Sequence, residues 1–350
     1  MADERKKEKI EKDSEIKTEE KPEVKEEKKV PDKPKIDRVA DLPNVGPLSA
    51  EKLAKAGFFD VLSVAVASPS QLSDACGFGE AVARKTIQAA REGLDMGFSD
   101  AKAVEIEREK VLRIPTGVKA FDVMMQGGFE TGCITECFGK YGSAKTQIAH
   151  QLCINVQKLE KDAVAVYIDT EGSFRPSRLR EMAKGAGMDE EDVLRRVKVA
   201  KAYNSDHQML LAQKVIEIIA GNEEEGIKPL NVKLVIVDSL TSLFRSEFIG
   251  RGTLAERQQK LNKHMSVLTK LADQHNLCVY VTNQVMAKPD AFFGDPTESV
   301  GGHIVAHAST FRIYLRPGKK GTRVAKLIDA PNIADGEAPF NVTTNGLEDV

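Results

Sequence analysis

The chain has 350 residues, room for two domains at about 150 residues each, and its 51 Lys and Arg almost balance 53 Asp and Glu. That balance excludes a chain-wide basic surface, so any site for nucleic acid must be local. No apolar run reaches the ~20 residues of a membrane helix, and the opening MADERKKEKIEK has no apolar signal-peptide core. Cys76, Cys133, Cys137, Cys153 and Cys278 form no CxxC pair and lie among apolar neighbours. They are expected to be reduced and mostly buried, in a soluble intracellular protein.

Residues 1–37 hold 12 basic and 13 acidic residues, interleaved with Pro22, Pro31 and Pro34. With so little to bury, this segment reads as a disordered charged tail. Residues 38–94 carry apolar groups at helical spacing, punctuated by Leu42-Pro43-Asn44-Val45-Gly46 and by Cys76-Gly77-Phe78-Gly79. Each punctuation precedes a helix, SAEKLAKAG in the first case and EAVARKTIQAAREG in the second. The pattern resembles a small all-α helix-hairpin-helix domain, whose glycine turn at Gly46 would offer backbone N–H groups to a nucleic-acid phosphate. Residues 95–110 form a polar linker, and 111–350 alternate apolar strands with amphipathic helices. That alternation predicts an α/β domain with a mostly parallel sheet covered on both faces.

Between a predicted strand at Ile134–Phe138 and a predicted helix at Thr146–Val156 lies Gly139-Lys140-Tyr141-Gly142-Ser143-Ala144-Lys145-Thr146. It fits the phosphate-binding P-loop GxxxxGK[ST], except that Ala144 replaces the last glycine. Lys145 would reach the β- and γ-phosphates, and the Thr146 hydroxyl would face Mg²⁺. If the loop needs positive φ at 144, the methyl costs ~1 kcal/mol, and nucleotide affinity or hydrolysis is expected to weaken. Leu234–Asp238 is an apolar strand ending in a carboxylate suited to Mg²⁺. Glu171 follows the strand Ala163–Asp169, where a carboxylate can deprotonate an attacking water.

The P-loop, IDTEGSFRPSRL, LVIVDSLTSLFRSEFIGRGTLAERQQKLNKH, VTNQV, DAFFGDPTESVGGHIVAHAST and LIDAPNIADGEA follow one another over most of 110–350. This ordered set resembles the archaeal RadA recombinases, within the RecA-like strand-exchange family. The resemblance implies a RecA-like P-loop ATPase core using ATP and Mg²⁺. Catalytic roles fall to Glu171, Lys145 and Gln284, the last sensing the γ-phosphate. Nucleotide contacts fall to Gly139, Lys140, Tyr141, Gly142, Ser143, Ala144, Lys145, Thr146 and Gln147, with Arg178 stacked on adenine and Asp329 capping the neighbouring protomer's nucleotide. Thr146 and Asp238 would serve the metal.

Two DNA loops are also implied. The first is Phe248–Gln258; Arg245, Arg251 and Arg257 recur at six-residue spacing before and along it, and 245–263 carries a net +3 from five basic and two acidic residues. The second, 286–302, offers Lys288, Phe292 and Phe293 to backbone or bases. Arg312, Arg316, Lys319, Lys320, Arg323 and Lys326, with no acid between them, read as a further basic patch. Phe98-Ser99-Asp100-Ala101 matches the family's FxxA subunit hook. Phe98 and Ala101 would dock on a neighbour near Ala200 and Ala202, with His303 near the junction. The implied protein is a cytoplasmic, nucleoid-associated ATP-dependent recombinase, a filament or ring on single- and double-stranded DNA, with mediator proteins using the FxxA pocket. The alternative is a hydrolysis-impaired regulatory paralogue.

Overall fold

A computed structural model describes residues 38–56, 58, 60–94, 97–221, 226–287 and 297–350. The chain divides into two compact units between Met96 and Gly97, so residues 97–110 group with the larger one. The charged segment 1–37 lies outside the described residues.

The smaller unit is all-helical: α1 (Pro47–Lys55), α2 (Val61–Ala65), α3 (Pro69–Cys76) and α4 (Glu80–Gly93). Its starts are written in the sequence. Asp60 and Ser63 form a capping box on α2, as Ser68 and Gln71 do on α3, each satisfying N–H groups that a helix end leaves unpaired. On α4, Ala83, Thr86, Ile87 and Ala90 are the buried face, the spacing of one helical stripe. They close a core with Val39, Leu42, Leu53, Val64 and Leu72. In the first turn the left-handed residue is Asn44, φ 68°. Gly46 has an extended backbone, φ −83°, and a methyl in place of its hydrogen would meet nothing within 4 Å. The fold itself therefore does not require glycine there.

The larger unit opens with α5 (Ala101–Arg108), β1 (Arg113–Ile114), α6 (Lys119–Met124) and β2 (Phe129–Glu130). It continues through β3 (Ile134–Gly139), α7 (Lys145–Leu159), β4 (Ala163–Asp169), α8 (Pro176–Gly185), α9 (Glu190–Arg195), β5 (Val197–Lys201) and α10 (Ser205–Ala220). Then come β6 (Asn231–Asp238), α11 (Ser242–Glu247), α12 (Leu254–His275), β7 (Cys278–Asn283), β8 (Val285–Ala287) and β9 (Thr297–Ser299). It ends with α13 (His303–Ala308), β10 (Phe311–Pro317), β11 (Arg323–Asp329), β12 (Glu337–Thr343) and β13 (Gly346–Glu348).

Nine strands form one sheet in the order β13-β12-β11-β10-β3-β7-β6-β4-β5. From β10 to β5 every pairing is parallel, and β11 to β13 extend the sheet antiparallel. Strands β3, β4 and β7 are buried along their whole length, because helices cover both faces. Alternate residues therefore feed two cores. One holds Cys137, Tyr167 and Ile236 with Ile148 and Leu152 of α7, Leu179 of α8 and Val193 of α9. The other holds Ile134, Ile168 and Val237 with Ala212 of α10, Phe244 of α11, Leu268 of α12 and Val305 of α13. This is the α/β architecture the strand–helix alternation predicts. It brings the C-terminal ends of β3, β4, β6 and β7 to one edge, where parallel sheets bind ligands. Cys76, Cys137, Cys153 and Cys278 are buried and Cys133 half-buried, all as free thiols; burial pushes Cys133 and Cys137 up to about 12.

Candidate nucleotide site

At that edge lies a cavity of about 1030 Å³, lined by the whole loop Gly139–Gln147 and by Glu171, Arg178, Asp238 and Gln284. The loop lies tight against β10. A methyl at Gly139 would stand 2.2 Å from the Leu315 carbonyl oxygen and 2.7 Å from Ser143 Oγ, so only glycine permits this approach. Gly142 and Ala144 are both left-handed, at φ 74° and 80°. Ala144 thus holds a conformation that disfavours a Cβ by ~1–2 kcal/mol, and the helix α7 starts immediately after it. Tyr280 fixes that start by donating its hydroxyl to the Lys145 carbonyl at 2.9 Å.

Lys145 Nζ donates to the Gly139 and Lys140 carbonyls at 2.7 and 3.1 Å. Burial draws its pKa down, and Asp238 and Glu171 oppose that shift. The ammonium is held against the loop carbonyls and lines the cavity beside the start of α7. Asp238, 2% exposed, gathers hydroxyls. Its Oδ2 accepts from Thr146 at 2.8 Å, Tyr167 at 2.7 Å and Ser173 at 3.1 Å, and its Oδ1 accepts from Thr282. The Tyr167 phenol is raised well above its ordinary pKa by burial and by the Asp238 charge, so it stays a donor. The Asp238–Ser239 peptide is cis.

Oxygen donors on one carboxylate suit a hard divalent cation that keeps waters and phosphate oxygens as its other ligands. Among the described residues no group of three or more His, Cys, Asp or Glu forms a self-sufficient metal cage. Ser143 Oγ and Ser239 Oγ, buried in the cavity wall, have no protein partner. The residues present therefore fit Mg²⁺ brought with a nucleotide, which Thr146 and Asp238 would hold.

Glu171 sits across the cavity, its Oε1 accepting from Gln284 Nε2 at 2.8 Å. The same Gln284 amide accepts from Arg245 Nη1 at 3.0 Å. Arg178 lines the cavity with its guanidinium already engaged. It donates to Gln147, to Glu181 and to the Thr343 and Thr344 carbonyls at 2.6–2.9 Å, which ties α8 to the β12–β13 turn. Ser173, Arg175 and Ser239 also line the cavity from within the quoted motifs, whereas Arg323 and Val342–Thr344 line it from outside them. Arg323 reaches the P-loop at Gly142 O, 2.8 Å, a pairing 181 residues apart that no local pattern signals.

Other sequence-derived candidates lie elsewhere. Asp329, exposed at the end of β11, and His303, exposed and stacked on His307, are outside the cavity lining. Phe98 and Ala101 are exposed, and the hook runs into α5, capped by Asp100. Ala200 is half-buried on the edge strand β5, whereas Ala202 is 2% exposed and packs in the core. Arg257 is half-buried on α12. Lys288, Phe292, Phe293 and the Arg251 side chain lie outside what is described. The basic patch at 312–326 is not one surface. Arg312 is largely buried on Glu136 and Arg316 pairs with Glu337, each at 2.8 Å.

The Rad51 family model matches residues 107–350. The chain belongs to the Rad51 family. A SAM-like helix-hairpin-helix tandem matches residues 36–92, the smaller unit. The chain is similar to proteins named DNA repair and recombination protein RadA. It is 49% identical to that of Methanococcus maripaludis strain C5 and 49% identical to that of strain C7, each match covering 89% of this chain and 99% of the relative. The P-loop, Asp238 and Glu171 stand at the ends of β3, β6 and β4, and β7, which leads into Gln284, lies between β3 and β6.

Proposed function

We propose that the protein is an ATP-dependent DNA strand-exchange recombinase of the archaeal RadA type, working with ATP and Mg²⁺ and assembling on single-stranded DNA to pair it with homologous duplex. The observation carrying this reading is the convergence of Lys145, Thr146, Asp238, Glu171 and Gln284 on one cavity, with Gln284 leading directly into the β8–β9 hairpin. Lys145 and the loop N–H groups orient the phosphates. Mg²⁺, held by Thr146 and Asp238, would supply neutralisation of phosphate charge. Glu171 accepts the proton of the attacking water through the carboxylate oxygen that Gln284 leaves unengaged, and Gln284 holds the carboxylate in place. Arg178 and Gln147 would border the base, and Asp329 and His303 would act across a subunit junction made by the Phe98–Ala101 hook on a neighbour's Ala200. Arg245, Arg251 and Arg257 would serve the first DNA loop, and Lys288, Phe292 and Phe293 the second. Gly46 would offer the smaller unit's turn to duplex phosphates.

A second reading is favoured by one observation, Ala144 at φ 80° in the P-loop. In it the protein binds nucleotide and DNA but turns ATP over weakly, as a regulatory paralogue. One experiment separates the two: ATP hydrolysis with and without single-stranded DNA, run beside strand exchange and electron microscopy of filaments. Strand exchange with DNA-stimulated turnover supports the recombinase. Filaments without stimulated turnover support the paralogue.

A further inference from the structure

The end of β7 is a junction of buried polar groups. Asn283 Nδ2 donates to Glu136 Oε1 at 2.8 Å and to the Val300 carbonyl at 2.5 Å. Its Oδ1 accepts from Thr241 Oγ1 at 2.7 Å and from the Gln284 N–H at 2.9 Å. Every hydrogen-bonding capacity of this amide is engaged in a site closed to water, so it cannot shift without moving its partners. Glu136 is fully buried, and its other oxygen accepts from Arg312 Nε at 2.8 Å. The Arg312 guanidinium lies 5.2 Å from the Phe138 ring centre and sends Nη2 to Ser299 Oγ at 2.8 Å.

Ser299 is the last residue of β9, paired with Val285 of β8. One foot of this hairpin follows Gln284, which touches Glu171. The other foot is held by Arg312, whose position is set by Glu136. A continuous line of bonds therefore runs from Glu171 through Gln284, Asn283, Glu136 and Arg312 to Ser299, returning through Val300 N–H to the Gln284 carbonyl at 3.0 Å.

We infer that Arg312, oriented by Glu136, is a positioning residue that couples the nucleotide cavity to the β8–β9 hairpin, and that it does so without touching DNA. The inference rests on the reading of the cavity as an ATP site. A lone ion pair could be held by lysine equally well; what lysine lacks is the second arm that reaches Ser299 while the first stays on Glu136.

The test uses the full chain carrying Arg312→Lys, which retains the buried charge pair, with Glu136→Gln as a second variant that keeps the side chain's shape. Hydrogen exchange at Val285–Ala287 and Thr297–Ser299 is followed with and without a non-hydrolysable ATP analogue. The wild-type chain should show nucleotide-dependent protection at both strands, and Arg312→Lys should lose it on Thr297–Ser299 while the P-loop remains protected. In the same preparations, stimulation of ATP turnover by single-stranded DNA should fall about fivefold or more, with basal turnover and DNA affinity kept within about twofold. Unchanged protection in both variants overturns the inference. So does a fall in DNA affinity that matches the loss of stimulation, because Arg312 would then be a DNA contact. A wild-type chain with no DNA-stimulated turnover would count against the recombinase reading alone, since the exchange measurement still decides the coupling.

Discussion

Gln284 Nε2 lies 2.8 Å from Glu171 Oε1, so the group at the start of the β8–β9 hairpin holds the carboxylate that faces the phosphate site. The bond leaves one carboxylate oxygen for water. Glu171→Gln removes that base and should lower ATP turnover by about 10²- to 10⁴-fold while nucleotide still binds. Gln284→Ala frees Glu171 without removing it. Basal turnover should then fall less, and the DNA-stimulated part most. Steady-state hydrolysis with and without DNA, alongside nucleotide binding by fluorescence, checks both. A basal loss in Gln284→Ala larger than that in Glu171→Gln would show that Gln284 does not act through Glu171 alone.

Ala144 holds φ 80° at the entry to α7. Ala144→Gly removes the left-handed penalty of ~1–2 kcal/mol and restores freedom to the unfolded chain worth about 0.4–1 kcal/mol. The first exceeds the second by about 0.8 kcal/mol at mid-range, so the melting temperature of the free protein should rise modestly, by about 2 °C. The larger gain should appear in nucleotide affinity and turnover, where the methyl stands beside the phosphate path. Calorimetric binding and steady-state hydrolysis measure it. Identical affinity and turnover in both forms would remove Ala144 as a reason for weakened activity.

Local pattern carried much of this molecule. The strand expected at Ala163–Asp169 is the strand found, and the P-loop helix expected from Thr146 begins at Lys145, because an apolar run ending in glycine or a carboxylate is a short-range signal. Arg312 shows where that signal stops. In sequence it stands in a basic run; in the fold its partner is an acid 176 residues earlier, at the neighbouring strand β3. Tyr167 likewise reads as one more apolar strand residue, and only the packing of β4 against β6 brings its hydroxyl to Asp238. The helix α5 hid for the opposite reason. It buries no residue, so no apolar stripe betrayed it inside a polar linker.

His264 is fully buried on α12, its Nε2 3.1 Å from Gln208 Nε2 and its ring stacked on Phe244. Burial lowers its pKa from 6.5 to about 4. The unfolded chain therefore takes up this proton near pH 6.5, while the folded chain resists until about pH 4. Stability is full above pH 6.5 and is lost as pH falls toward 4, by about 3 kcal/mol over the whole interval. His150, also lowered by burial and bonded to Thr146 O and Arg175 N–H, acts in the same direction. His264→Gln should flatten the slope of stability against pH between 7 and 4.5. Urea denaturation across that range measures it, and parallel curves for the two proteins would exclude His264 as a source of the slope.

Phe98 is fully exposed two residues before the Asp100 cap of α5. A phenyl ring left in water, with Ala101 beside it on the first helical turn, gains most by entering an apolar pocket on another copy. Phe98→Ala should reduce filaments to small soluble species in light scattering and electron microscopy. Turnover should fall with them if the nucleotide is completed by a neighbour. Val104→Ala supplies the control, since Val104 is also exposed on α5 but lies outside the Phe98–Ala101 hook, and assembly should survive it. Filaments of normal length from Phe98→Ala would rule out the hook, whereas loss of assembly in both variants would point to the whole face of α5.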